Sequence, residues 1–155
     1  MALKADRVIL DDDISYFSDD TSAERGVVMV HDTGGSGAAM DQAVANVVVP
    51  TGVSGSGLVA AGVLLNDIVN KDLTQTHLNQ HKLEEQTGGK VWLLKKGTIV
   101  TDQVKSGDTP TVGLKAYFTQ NGQFTVTDQG DANFIGRFKG SMDADGFVKI
   151  DINIP

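Results

Sequence analysis

Hydrophobic positions along the chain fall in short clusters separated by glycine-rich or polar connections, and the clearest period is two. At the C-terminal end Val148, Ile150, Ile152 and Ile154 alternate with Phe147, Lys149, Asp151 and Asn153, the pattern of a strand buried on one face. Val27–Val30 and the β-branched run Val47-Val-Val, ended by Pro50, predict two further strands. Lys90–Leu94 and Thr98–Thr101 are also β-prone, and Lys95-Lys96-Gly97 between them predicts a compact turn. Asn121-Gly122 inside Ala116–Val126 predicts a hairpin with a type I′ turn, because both central residues of that turn need positive φ. In that register Tyr117 faces Val126 and Thr119 faces Phe124, while Phe118 lies with threonines on the opposite face.

Helical periodicity is poor throughout. Leu58–Leu65 is apolar but gives way to the most polar stretch of the chain, residues 71–86, where Leu73, Leu78 and Leu83 are spaced by five and share no helical face. An exposed loop is favoured there over a short helix capped by Asp72 and stopped near Gly88-Gly89. Asp32–Ala39, with three glycines, reads as a loop, and Thr51–Gly57 as a second glycine-rich connection. Near the start, the apolar Val8, Ile9, Leu10, Ile14, Tyr16 and Phe17 are interrupted by Asp11-Asp12-Asp13. Burying the whole stretch would strand three carboxylates, so residues 1–26 read as an N-terminal arm or edge strand and 27–155 as a single β domain. The expected fold is all-β: a small β-barrel or sandwich of short antiparallel strands, with an extended N-terminal arm and at most one short helix.

Composition narrows the function classes. A chain of 155 residues fits one domain. It has no cysteine, which excludes disulfides, thiolate metal sites and cysteine nucleophiles. A net charge of −7 disfavours nucleic acid and anionic membrane surfaces as partners. Leu58–Leu65 is too short to cross a bilayer core, which takes about 20 residues of helix. The two early cations run into Asp11-Asp12-Asp13 instead of the apolar core of a signal peptide, so a soluble chain without a secretion signal is expected.

No constellation for catalysis rises above background. His77 and His81 have the i, i+4 spacing of a helical metal pair, but Leu78 stands where the metalloprotease motif has its Glu, and no cysteine can complete the set. Asp143-Ala-Asp-Gly146 resembles the middle of an EF-hand loop, yet Ile152 falls where the bidentate Glu belongs; a hairpin turn explains it more simply. Gly88-Gly89-Lys90 lacks the remainder of a phosphate loop, and Gly52-Val-Ser54-Gly55 misplaces the second glycine of a nucleophile elbow. The expectation is a non-enzymatic protein with no cofactor, no metal and no catalytic residue.

Gly62-Val-Leu-Leu65, Asp67–Leu73, Asn79-Gln-His81-Lys82, Gly89–Thr98, Ala116-Tyr117, Ile135–Phe138 and Asp143–Lys149 together form a pattern that resembles the capsid decoration (cement) proteins of tailed bacteriophages, over Gly62–Pro155. The resemblance implies a structural virion protein, assembled in the host cytoplasm, that binds the outer surface of an icosahedral head and clamps neighbouring major capsid subunits. It implies as partners the major capsid protein and further copies of the chain in a homotrimer, with no nucleic acid and no membrane. The N-terminal residues Val8, Ile9, Leu10, Ile14, Tyr16 and Phe17 are then the candidates for the capsid or self interface, lending a strand to an exposed sheet edge. Within the virion class a tail, connector or head-fibre base component is the alternative. A carbohydrate-binding β-barrel is another, but it needs an aromatic platform; aromatics make up only 6% of the chain, and Trp92, in a predicted strand, is expected in the core. If the histidine pair holds no structural metal, extensive chelation leaves the melting temperature unchanged; a large drop would reveal a site.

Overall fold

A computed structural model describes residues 3–18, 20–32, 46–50, 58–70, 74, 83–130 and 133–155. The alternating C-terminal run forms β12 (Val148–Asn153), with Val148, Ile150 and Ile152 buried and Lys149 and Asn153 exposed, as its period of two requires. The other strands are β1 (Val8–Asp13), β2 (Phe17–Ser18), β3 (Val28–His31), β4 (Asn46–Val48), β5 (Ala60–Leu64), β6 (Asp67–Val69), β7 (Glu84–Gln86), β8 (Leu93–Thr101), β9 (Lys115–Phe118), β10 (Phe124–Thr125) and β11 (Phe134–Phe138). The chain is all-β. Its main sheet runs β10-β9-β11-β12-β8-β5-β3-β4-β2, with β1 added beside β8, and it does not close into a barrel. Pairing is antiparallel except for β2 with β4 and the small separate sheet of β6 and β7.

Two apolar clusters result. The larger joins Val28, Val30, Val63 and Leu65 to Ile99, Phe118, Phe124, Ile135, Phe138 and Ile150, drawing on strands from both ends of the main sheet. The smaller covers the opposite face of β3, β5 and the start of β8, with Met29, Val47, Leu64, Ile68 and Leu93. Strict alternation along residues 27–30 sends Val28 and Val30 to the larger cluster and Val27 and Met29 to the smaller. A strand with both faces buried reads as a continuous apolar run. Val27–Val30 has that character for this reason.

Three expectations are corrected. The run predicted as two strands about a Lys95-Lys96-Gly97 turn is one strand, β8. Gly97 continues it, paired with Ile152 of β12: φ is +147°, and a Cβ there would lie 2.0 Å from the Val8 carbonyl oxygen. β8 changes phase between Leu94 and Gly97, at Lys95, which the pairing with β1 skips, so Leu94 and Ile99, an odd number of residues apart, both enter the larger cluster. The hairpin at Asn121-Gly122 is present and both residues have positive φ, but Gln120 joins them in a three-residue loop. Phe118 therefore pairs with Phe124 and Tyr117 with Thr125. One extra loop residue exchanges the faces, which puts Phe118 in the core instead of among threonines. Trp92 is only partly buried; it packs against the larger cluster and sends its indole N–H to Asp12.

The hairpin loop closes the fold over β3. The Asn121 N–H donates to the Pro50 carbonyl at 2.8 Å, and a Cβ on Gly122 would lie 2.5 Å from the Val28 carbonyl oxygen. At the other end of the chain, Asp143 caps the connection into β12, accepting from the Asp145 and Phe147 amides at 3.0 and 2.9 Å. This is the hairpin-turn role the sequence predicts for Asp143–Gly146. His77, His81 and residues 33–39 of the glycine loop lie outside the described residues, as does most of the polar stretch from 71 to 82.

Gly97→Ala combines an unfavourable φ with a backbone clash and should cost at least about 2 kcal/mol. Urea unfolding measures this; an unchanged midpoint would show that β1 can move off β8 without penalty.

Candidate interaction surface

The six residues singled out from the sequence occupy one continuous segment, from the start of β1 into β2. Val8 pairs with Thr98 and Ile9 with Gly97, Leu10 is left without a partner, and Asp11 pairs with Lys96. Leu10 is thus a bulge residue in an edge strand. Lys95 is skipped in turn on β8, because Asp12 pairs with Leu94 and Asp13 with Leu93. The two irregularities offset each other and restore the register. Ile9 points inward and packs against the larger cluster. Val8, Leu10 and Ile14 point outward, with exposures of 49%, 77% and 63%.

Tyr16 and Phe17 behave differently. Tyr16 packs on the smaller cluster and meets the His31 ring edge-to-face at 5.1 Å. Phe17 is half-buried in β2, with the Lys90 ammonium 5.7 Å from its ring centre. The structure therefore brings Val8, Leu10 and Ile14 to the surface and ties Ile9, Tyr16 and Phe17 to the domain. Leu3, which the sequence reading did not single out, is buried in the larger cluster; it bridges to Thr101, and the adjacent Lys4 amide donates to Val100 at 2.8 Å. A lone apolar residue directly before Lys4-Ala-Asp-Arg7 gives no periodicity to detect, so this anchor had no sequence signal.

The aspartate run avoids the burial cost anticipated for it. Asp11 and Asp12 are exposed, and Asp12 accepts from Trp92. Asp13 is half-buried: it accepts from the Ser15 amide at 2.8 Å and from the Ser15 hydroxyl, and it lies 3.5 Å from the Lys95 ammonium. Partial burial pushes the Asp13 carboxyl up, but the Ser15 bonds and Lys95 outweigh it and hold the group below its ordinary value. Behind it, burial and the Lys95 charge hold the His31 imidazole below its ordinary value, with Asp13 acting in the opposite direction.

The edges of the main sheet differ in how they end. At β10, Phe124 donates to the Gln103 carbonyl and accepts from the Lys105 amide, both at 2.8 Å. At β2, Ser18 donates to Gly89 at 3.2 Å and Tyr16 accepts from Val91 at 3.0 Å. Irregular chain closes both ends. Among the described residues, β1 has a strand partner only in β8, and none lies along its outer edge. Also among the described residues, no group of three or more His, Asp or Glu side chains is placed to hold a metal ion. No protein-family model matches this chain, and no match is found among curated proteins.

His31 binds a proton more readily unfolded than folded, so its contribution to stability is complete above its unfolded value near 6.5 and is lost as pH falls through that value. Urea midpoints measured from about pH 7.5 to about pH 5 should fall, and the fall should shrink in His31→Gln. An identical fall in the variant would place the titration elsewhere.

Proposed function

We propose that the protein is a structural component of a phage virion that binds the outer face of the head and clamps neighbouring major capsid subunits. The observation that carries this reading is the β1 edge: a strand edge next to three exposed aliphatic side chains, on a segment that is itself fastened to the core. Exposed apolar side chains beside a strand edge that has no second strand partner among the described residues fit a partner strand that supplies both hydrogen bonds and apolar cover. The resemblance over Gly62–Pro155 is the reason the partner is taken to be a capsid subunit.

Charge supports the outer location. A chain with net charge −7 is repelled by packaged DNA and is better placed on the outside of the shell. The bulge at Leu10 and the acids that follow it blunt the edge against indiscriminate pairing, as natural edge strands do. Arranged as a homotrimer at a three-fold position, the protein would engage several subunits at once, so a modest affinity per contact would hold the shell through effective concentration.

The experiment is decoration of heads that lack the protein. Leu10→Lys and Ile14→Lys alter exposed side chains and should leave stability within about 0.5 kcal/mol while reducing head binding at least about tenfold. Leu3→Ala acts on the core instead and should cost about 3–5 kcal/mol in unfolding. Normal decoration by the lysine variants would overturn the assignment of this edge, and a copy number in virions far below that of the major capsid protein would overturn the clamping role.

A further inference from the structure

A second feature lies away from the β1 edge, where the chain before β1 crosses the turn leading into β3 and the residue preceding β7. Leu3, Lys4, Ala5, Arg7, Arg25 and Leu83 line a cavity of about 200 Å³. Its cations are not equivalent. Lys4 is committed, with its ammonium 2.9 Å from Asp143 and 4.4 Å above the centre of the Phe147 ring. Arg7 has its guanidinium 5.4 Å from the centre of the Trp92 ring, and stacking of this kind leaves the in-plane N–H groups able to bind an acceptor. At Arg25 it is the main-chain N–H that donates, to Asp67 at 2.8 Å.

Among the described residues neither the Arg7 nor the Arg25 guanidinium has a hydrogen-bond or ion-pair partner. In a chain with 20 acidic and 13 basic side chains, two unpaired arginines on one cavity run against the general charge balance. Guanidinium forks match carboxylates in geometry. Leu3, Ala5 and Leu83 supply apolar wall beside them, and the space holds about six or seven water volumes at about 30 Å³ each. That accommodates a carboxylate with a few methylene groups.

We propose that this cavity is a binding site for a carboxylate carried on a short aliphatic stem, with Arg7 and Arg25 holding the carboxylate and Leu3, Ala5 and Leu83 covering the stem. The chemistry is the same for a free short-chain carboxylate and for a glutamate side chain presented by a protein. The site is independent of the head-binding reading and survives its failure.

The test is a titration of isotope-labelled protein followed by amide chemical shifts, with four probes: butanoate, butanamide, inorganic phosphate and a short capped peptide with one central glutamate. Butanoate or the peptide should shift the Leu3, Ala5, Arg7, Arg25 and Leu83 amides saturably, while butanamide should not. Arg7→Gln and Arg25→Gln should each weaken binding at least about tenfold, with Arg7→Lys and Arg25→Lys retaining part of it because the charge remains and the fork is lost. Retained amide spectra in the lysine variants separate loss of binding from loss of fold. Tighter binding of the peptide would assign the site to an acidic side chain of a partner, and tighter binding of butanoate to a free small carboxylate. Equal response to butanamide, equal response to phosphate, or no saturation with either carboxylate up to about 100 mM would overturn the proposal.

Discussion

The close approach of β1 to β8 at Gly97 is the constraint on which the rest of the fold depends. β8 is shared property: its first residues pair with β5 and its later ones with β12, so the two halves of the main sheet are joined through it. To serve both halves it must change phase, and the irregularity at Lys95, two residues before Gly97, brings Leu94 and Ile99 to the same side. The missing Cβ also lets the Val8 carbonyl approach. The stretch Lys95–Gly97 thus sets which β8 residues reach the core and where the N-terminal strand is seated.

That seat explains how an acidic, apolar segment is stable against the domain. Ile9 and Leu3 enter the core while the aspartates stay at the water boundary, where Trp92, Ser15 and Lys95 satisfy Asp12 and Asp13. The chain gains apolar burial without desolvating its charges fully, which would cost several kcal/mol for an unpaired carboxylate. What remains outside is a short row of aliphatic groups on a strand edge that has no second strand partner among the described residues. The same bulge that exposes Leu10 interrupts the regular edge, so the geometry that presents the surface also limits what can pair with it.

The all-β class and the clearest strands were legible because their alternation is intact. Val148–Ile154 alternates sharply, Val27–Val30 is legible instead as a short continuous apolar run, and the acidic turn at Asp143 has a local chemical cause. Errors arose where a single residue decides between two outcomes. Gly97 after two lysines looks the same in sequence whether it ends a strand or continues one, and Gln120 decides the facing of Phe118 without altering the turn residues beside it. β6 and β7 pair in parallel through Asp67-Ile-Val69 and Glu84-Glu-Gln86. The latter is wholly polar and has no strand signature. The candidate surface was legible as an apolar run broken by acids; its division into anchored and exposed members was not, since that division depends on the register against β8. Arg7 and Arg25 are far apart in sequence and belong to no motif, so only the fold brings them to one cavity.

The central claim is that a partner adds to the outer edge of β1 while β8 continues to hold the inner one. Amide hydrogen exchange, compared for the free protein and for the protein bound to heads, tests it most directly. The account predicts new protection concentrated on the outward-facing amides between Val8 and Ile14, with the β8 amides already protected before binding. Protection confined to other strands, with exchange across β1 unchanged, would contradict it.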